Sequence, residues 1–552
     1  MEQARLFIAI GISFLIFFLW SMFLSPKPPE KAATPEVAKK EAPAQAAKAA
    51  DSSAAAQKPE TPVEAPPAVI KDERPARSIV VETPLYQLKL SEKGAAVTSI
   101  VLKKYHESTQ KDSALKELIH PEAVGGTLLL GLSGPGDQGL QQAVYASDFS
   151  GDRLDVKQQP MQIKFQHRTA SGLIVQKTYR FLPDSYLYDL TVEIYNSADK
   201  AYQGDLSLEL QNALPAGSGR YAFEGPSGLI NNKLEQIASK KIKEKGVFSG
   251  AINWVAIEDR YFMTSIIPPE GTTGQMKLGN GGKTVKNQVV IDTGEVAANQ
   301  NKAWTFKIFM GPKSLSLLKS YHLKLDRAIN FGWFDFLAKP CLWFMNFIYG
   351  FIPNYGIAII ILTIISRGIF WPLARKSYKS MNEMRRLQPL MQEIREKYKD
   401  DKAKINQETM ALYRTYKVNP MGGCLPMLIQ LPVFFALYRM LYSAIELRHA
   451  PFFGWITDLS APDRLFSFSF KIPFMDPPYG IPVLTLIMGA TMLIQQKMTP
   501  QAGDPTQAKM MMLMPVVFTF IFINFSSGLV LYWLVSNIFS IAQQYYTQKK
   551  TA

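Results

Sequence analysis

The sequence predicts a multi-domain membrane protein: an α-helical polytopic core of six transmembrane helices, five of them in one bundle, plus a large extracytoplasmic antiparallel β-sandwich. Three observations predict it. Apolar runs recur at residues 6–24, 355–375, 420–442, 481–498, 510–525 and 528–545, and about 20 such residues suffice to cross a bilayer. Residues 78–312, between the first two runs, instead alternate apolar with polar side chains. Basic residues gather just after the second run, and such clusters mark the cytoplasmic side.

A chain of 552 residues is too long for one core. Its first unit, residues 1–24, holds LFIAIGISFLIFFLWSMFL after Arg5. The run is longer than a signal-peptide core and ends in SPKPP rather than an A-x-A site, so an uncleaved anchor is expected over a cleaved signal. Residues 25–77 are Ala, Pro, Lys and Glu with almost no aromatics. They bury too little apolar area to offset ordering entropy and read as a disordered tether.

Residues 78–315 form the β domain. VVETPLYQLKL, GLIVQKTYRFL, SYLYDLTVEIYN, NQVVIDTG and AWTFKIFMG are rich in Val, Ile, Tyr and Thr, with SGPGD, GNGGK and PAGSG between strands. That alternation with turn punctuation is the signature of a sandwich. Gly281-Gly282-Lys283-Thr284 resembles the end of a phosphate loop, but Lys277 stands where its first glycine belongs; a β-turn is expected. The two cysteines, Cys341 and Cys424, lie outside this domain, which therefore has no disulfide.

Residues 316–350 are a linker and an interfacial amphipathic helix. Trp333, Phe336, Leu337, Pro340, Trp343, Phe344, Phe347 and Ile348 give one apolar face, and Pro340 is expected to kink it. A helix buried under the β domain is the alternative. Residues 351–547 form the five-span core, beginning with YGIAIIILTIISRGIFWPLAR, read as a single helix over Tyr355–Arg375. Within the core, residues 376–417 read as a cytoplasmic helical hairpin. Met384, Leu387, Met391, Ile394 and Tyr398 recur at helical spacing, then Ile405, Thr409, Leu412 and Tyr416, with Asp400-Asp401 between and Pro389 interrupting the first arm. Over residues 375–417, 12 Lys or Arg against 6 Asp or Glu leave +6 (12 − 6), whereas the loop 443–480 has 3 against 4. This asymmetry puts the hairpin and both termini in the cytoplasm and the β domain outside. Residues 548–552 are a short basic tail, with Lys549-Lys550.

None of the six runs contains Asp, Glu or His. Proton-coupled transport and intramembrane proteolysis need such groups. No HExxH, Ser-His-Asp or Cys/His metal spacing occurs either, so no catalytic residue, cofactor or metal site is expected. What the runs hold is a thin polar set: Thr363, Ser366, Arg367, Gln430, Gln495, Asn524, Ser527, Ser536 and Asn537. Each alone reads as an interhelical hydrogen bond. Arg367 differs, since a charge inside a span costs roughly 2.5–3.5 kcal/mol. It either snorkels to headgroups or faces a wet cavity open to the cytoplasm, with Thr363 and Gln430. Met498, Met510, Met511, Met512 and Met514 cluster near one loop, as span filler or as a soft surface for varied apolar partners.

NPMGGCLPMLIQLPVFFALYRML (Asn419–Leu441), ELRHAPFFGWITDLS (Glu446–Ser460) and FSSGLVLYWLVSN (Phe525–Asn537) together resemble the YidC family of bacterial membrane protein insertases. The likeness is strong over about residues 350–547. Mitochondrial and chloroplast relatives are similar over the five-span core only, and the anchor, tether and β domain match the Gram-negative form. The resemblance implies insertion of newly made proteins into the inner membrane, without nucleotide hydrolysis, alone or with the Sec translocon. It implies a groove closed toward the periplasm and open to cytoplasm and lipid, with Arg367, Thr363, Gln430, Tyr532 and Trp533 at substrate-binding positions. It also implies ribosome and targeting-receptor contacts through the hairpin, a phospholipid environment and no specific nucleic-acid partner. The β domain resembles one largely dispensable for insertion. The short tail speaks against strong ribosome binding. A channel or transporter, or a chaperone that folds without inserting, are the other readings.

Overall fold

The structure, a computed structural model, describes residues 75–134, 139–213, 222–399, 401–416, 418, 425–499 and 505–551. The expected anchor, nearly all of the tether, the start of the 420–442 run and Cys424 lie outside the described residues.

Among the described residues the β domain is a sandwich of a 5-stranded and a 13-stranded sheet. Period-two patterning explains its strands. In Leu187–Asn196, Tyr188, Leu190, Val192 and Ile194 point into the core with no exposure. The larger sheet turns a corner along Val247–Glu258. Residues Val247–Ala251 pair with Thr273–Lys277, and residues from Ile252 onward pair with Gly225–Ile230. Strands that change partners in this way make the corners of sandwiches. Gly281–Thr284 is the turn of a hairpin between Thr273–Asn280 and Thr284–Val296, with Gly282 at φ +84°. The domain is not wholly antiparallel: Ser78–Glu82 pairs parallel with Arg153–Asp155, which reaches it by a long excursion rather than a tight turn.

Among the described residues ten helices follow: α1 (Leu315–Ser320), α2 (Asp335–Phe351), α3 (Tyr355–Ile369), α4 (Trp371–Arg386), α5 (Gln388–Lys397), α6 (Lys402–Thr415), α7 (Leu425–Ser443), α8 (Val483–Met498), α9 (Pro505–Phe522) and α10 (Ser527–Thr551). In α2, Ala338, Leu342, Met345 and Ile348 are buried, while Trp333 just before it, Phe336, Trp343 and Phe347 stay exposed. The helix runs on through Pro340 without a break. Its aromatic face therefore sits opposite its packed one, so Ile348 parts from Trp343 and Phe347.

The expected single helix over 355–375 is two. α3 ends at Ile369, and α4 departs at 63°. Pro372 is the cause: it has no N–H for the Gly368 carbonyl, and its ring crowds that turn. The Phe370 N–H turns back to Gly368 instead. Asn354 caps the start of α3, its Oδ1 accepting from the Ile357 N–H at 3.1 Å. Among the described residues no single helix is both long and apolar enough to cross a membrane; α3 and α4 meet that condition only as a bent pair. The hairpin has its break at Pro389, in the first turn of α5, and its turn is closed by Asp401 capping α6. α10 continues through Lys549 to Thr551.

Sandwich and helices are clasped together. Arg260 lies over the Tyr442 ring at 3.6 Å and donates to the Tyr442 carbonyl at 2.8 Å and the Ser460 carbonyl at 3.4 Å. Arg448, from the loop after α7, reaches back to the carbonyls of His106 and Glu107. Ser314 donates to the buried Glu446 carboxyl at 3.2 Å. Loss of water there pushes that carboxyl above its ordinary value, with the Ser314 hydroxyl pulling part of the way back.

Candidate functional site

The last turn of α3 carries Arg367, one turn beyond Thr363. Its guanidinium is half-buried and meets α10 at Ser536, whose Oγ accepts from Nε at 2.7 Å and also from Nη2. Gln430 of α7 reaches the same place, its Nε2 donating to the Tyr532 hydroxyl at 3.4 Å and to Ser536 Oγ at 3.5 Å. The structure thus joins Arg367, Gln430, Tyr532 and Ser536 in one cluster made by three helices. Among the described residues no carboxylate pairs with Arg367. A guanidinium has five N–H donors, and one hydroxyl oxygen serves as acceptor for only part of that fork. The cluster is rich in donors and short of acceptors, which is the chemistry of a place that takes a carboxylate, a carbonyl or water.

Thr363 and Trp533 stand apart from it. Thr363 is fully buried, and its hydroxyl donates to the Ile359 carbonyl at 2.6 Å within its own helix. Trp533 sits in an aromatic cluster with Phe434 at 4.9 Å, Phe522 at 5.1 Å and Phe518 at 6.3 Å, between α7, α9 and α10. It is the residue next to Tyr532, so helical geometry turns it about 100° away.

The sequence reading did not gather one feature. On α10 the buried face changes character along its length. Leu529, Val530, Leu531 and Leu534 give way to Ser536, Ser540, Gln543, Gln544 and Thr547, all buried. Gln543 donates to the Trp371 carbonyl at 3.2 Å, Gln544 to the Met498 carbonyl at 2.6 Å, and Asn537 to Thr491 Oγ1 at 3.2 Å. The signal was present: Tyr532, Ser536, Ser540, Gln543 and Thr547 recur at 4, 4, 3 and 4, one helix face.

The outward faces of the helices are the reverse. Ile369 of α3, Leu486, Ile487 and Ile494 of α8, and Leu513 and Phe520 of α9 are exposed. Apolar surface of this extent faces lipid or another protein. A cavity of about 320 Å³ lies in the β domain instead, walled by Glu107, His120, Asp259 and Phe262 among others, away from Arg367.

Apolar outer faces around a buried polar stripe, carried with a separate sandwich, define a helical membrane protein with a large extramembrane domain. Residues 78–344 match the family described as "YidC periplasmic domain", and residues 347–552 match "60Kd inner membrane protein". A "Membrane protein insertase YidC" of Syntrophobacter fumaroxidans is 41% identical over 87% of this chain and 88% of its own length. One of Pelobacter propionicus is 37% identical over 99% of each. A solved structure titled "Active YidC insertase crystal structure with the first transmembrane domain resolved" aligns at 21% identity and a TM-score of 0.39, over 86% of this chain and 94% of that one. The chain belongs to the YidC family of membrane protein insertases. It is an inner-membrane insertase with a periplasmic β domain; its clients are membrane proteins and its medium is the lipid bilayer. The family is not an enzyme family.

Proposed function

We propose that the chain inserts its clients through a polar groove open to the cytoplasm and to lipid, whose charged floor is Arg367 with Gln430, Tyr532 and Ser536. The observation that supports this reading is the guanidinium held by Ser536 with no acid beside it among the described residues. Six spans, with α3 and α4 as a bent entry, place both termini and the 376–417 hairpin in the cytoplasm. The hairpin captures the emerging client and meets the ribosome or its targeting receptor, while the Sec translocon shares part of the work.

Insertion then runs on solvation alone, without nucleotide hydrolysis. The client's hydrophilic tail enters the groove, where Arg367 and water replace part of its bulk hydration. Thr363 backs the wall, and Trp533 with its aromatic neighbours lines the apolar exit. The client's apolar segment slides out into lipid, each buried CH₂ contributing about 0.8 kcal/mol. The domain division is anchor 1–24, tether 25–77, sandwich 78–315, linker and interfacial helix 316–350, core 351–547 and tail 548–552, with the sandwich dispensable for insertion.

The test is reconstitution of the purified chain in vesicles with one small client, followed by protease protection of the client's tail. Protection without any nucleotide, and without ion conductance in the same vesicles, is the expected result. Conductance without protection would replace this reading by a channel.

A further inference from the structure

Beyond the groove, one periplasmic element is built in an unusual way. Leu465–Phe468 and Tyr479–Ile481 pair as a short hairpin in the loop between α7 and α8. The hairpin is held from one side by a polar frame. Arg464 donates to the carbonyls of Pro478 and Ile523, each at 2.8 Å. Asn524, in the turn between α9 and α10, donates to the Phe474 carbonyl at 2.9 Å and accepts from the Asp476 N–H at 2.9 Å. Gly480 packs so closely on the Phe466 carbonyl that a Cβ there would collide with it. From this fixed base Phe466, Phe470 and Phe474 project with 68%, 63% and 86% exposure.

Two of those rings are mounted on strained backbone: φ is +58° at Phe466 and +61° at Phe474. A bulky residue in the left-handed region is an outlier, and such strain persists only where the surroundings over-determine it. Here a polar frame maintains two costly conformations and two exposed phenylalanines together. Neither feature helps the fold: the rings bury little, and asparagine would fit both backbones better.

We propose that this hairpin is a bilayer footing, which sets its three phenylalanine rings into the headgroup–acyl boundary of the periplasmic leaflet beside anionic phospholipid. The occupant is identified by continuity and charge. Ile481 lies two residues before α8, whose first turns expose Leu486 and Ile487. Lys471, exposed between Phe470 and Phe474, supplies the cation that a headgroup phosphate takes. The same loop clasps the β domain through Arg448, which fixes it on the periplasmic side. The proposal rests on the reading that α8 crosses the bilayer.

The test places an environment-sensitive fluorophore on single cysteines in a Cys341→Ser, Cys424→Ser background. The full chain is reconstituted in phosphatidylcholine–phosphatidylglycerol vesicles with a nitroxide near the headgroup or deep in the acyl chain. Labels at Phe470→Cys and Phe474→Cys are expected to emit blue-shifted and to be quenched more by the shallow nitroxide. Ile487→Cys serves as the span reference and Lys157→Cys, on the β domain, as the aqueous one. Labels at 470 and 474 that behave like the one at 157 while 487 is quenched overturn the footing alone. An unquenched 487 overturns the span reading and the footing with it. Quenching that appears only when a second membrane protein is co-reconstituted overturns lipid in favour of a protein partner. Phe466→Asn with Phe474→Asn guards against misfolding: the double variant is expected to melt in detergent no lower than the parent, yet to lose most of the quenching at 470. Unchanged quenching in that variant refutes the proposal.

Discussion

Removing the charge at Arg367 tests whether an acidic tail is held electrostatically. A client carboxylate about 4 Å from the guanidinium would gain roughly 4 kcal/mol at an effective dielectric near 20. Desolvation takes much of this back, leaving the roughly 1.5–3 kcal/mol typical of a hydrogen bond to a charged group. At 1.4 kcal/mol per decade, Arg367→Ala should slow the insertion of a client with an acidic tail about ten- to a hundredfold. The same client with its acids changed to amides should slow less, by about two- to tenfold, the roughly 0.5–1.5 kcal/mol of a hydrogen bond without the opposite charge. Arg367→Lys keeps the charge but loses the two-pronged grip on Ser536, so its loss should fall between these limits. The assay is the initial rate of protease protection in vesicles, run for both tails at low and high salt. High salt should erode the acidic client's advantage, since the Debye length shrinks to about 3 Å at 1 M. Equal slowing of acidic and neutral clients, or no salt response, would refute the electrostatic account.

Ser536→Ala removes the acceptor shared by Arg367 and Gln430; an orphaned donor costs about 1–3 kcal/mol, so melting in detergent should fall by several degrees, less so in Ser536→Thr. Pro372→Ala restores the N–H that the bend lacks, and hydrogen exchange should then show protection continuous across residues 368–373. Burial raises the Glu446 carboxyl above its ordinary pKa of 4.5. The folded state therefore binds its proton more tightly than the unfolded one, and stability should fall as pH rises from about 4.5 through the raised value. Glu446→Gln should flatten that slope and raise the melting temperature at neutral pH. A Cβ at Gly489 would collide with Thr519 Oγ1 where α8 meets α9, so Gly489→Val should cost about 1–3 kcal/mol by overpacking, read as a lower melting temperature.

Much of the fold was legible because it rests on periodicity. Tyr188, Leu190, Val192 and Ile194 had to share a face whatever sheet they joined. The parallel strand at Arg153–Asp155 was not legible, because three residues carry no pattern and their partner is set by a distant crossover. Pro372 was visible in the sequence, yet apolar content alone carried the helix past it. Of the cluster, Arg367, Gln430 and Tyr532 come together, and Ser536 could have been added from its four-residue spacing to Tyr532. That Thr363 is satisfied within its own helix, and that Trp533 turns to Phe434 and Phe522, depends on helix rotation, which residue spacing does not fix.

The bend supplies the missing half of the charge balance at Arg367. A straight helix through residues 355–375 would leave this arginine mid-span, above carbonyls all engaged by their own ladder. Because Pro372 ends α3 at Ile369, Arg367 falls in the last turn, where unsatisfied carbonyls make the helix terminus negative. A cation there gains about 0.3–1 kcal/mol, more when partly buried. That field and the Ser536 hydroxyl offset part of the cost of the charge without neutralising it. An acid from a neighbouring helix would have offset more of the cost by pairing with the charge, and would have taken with it most of the attraction for a client's carboxylate. A charge stabilised by dipoles alone keeps its reach for a tail that arrives and leaves.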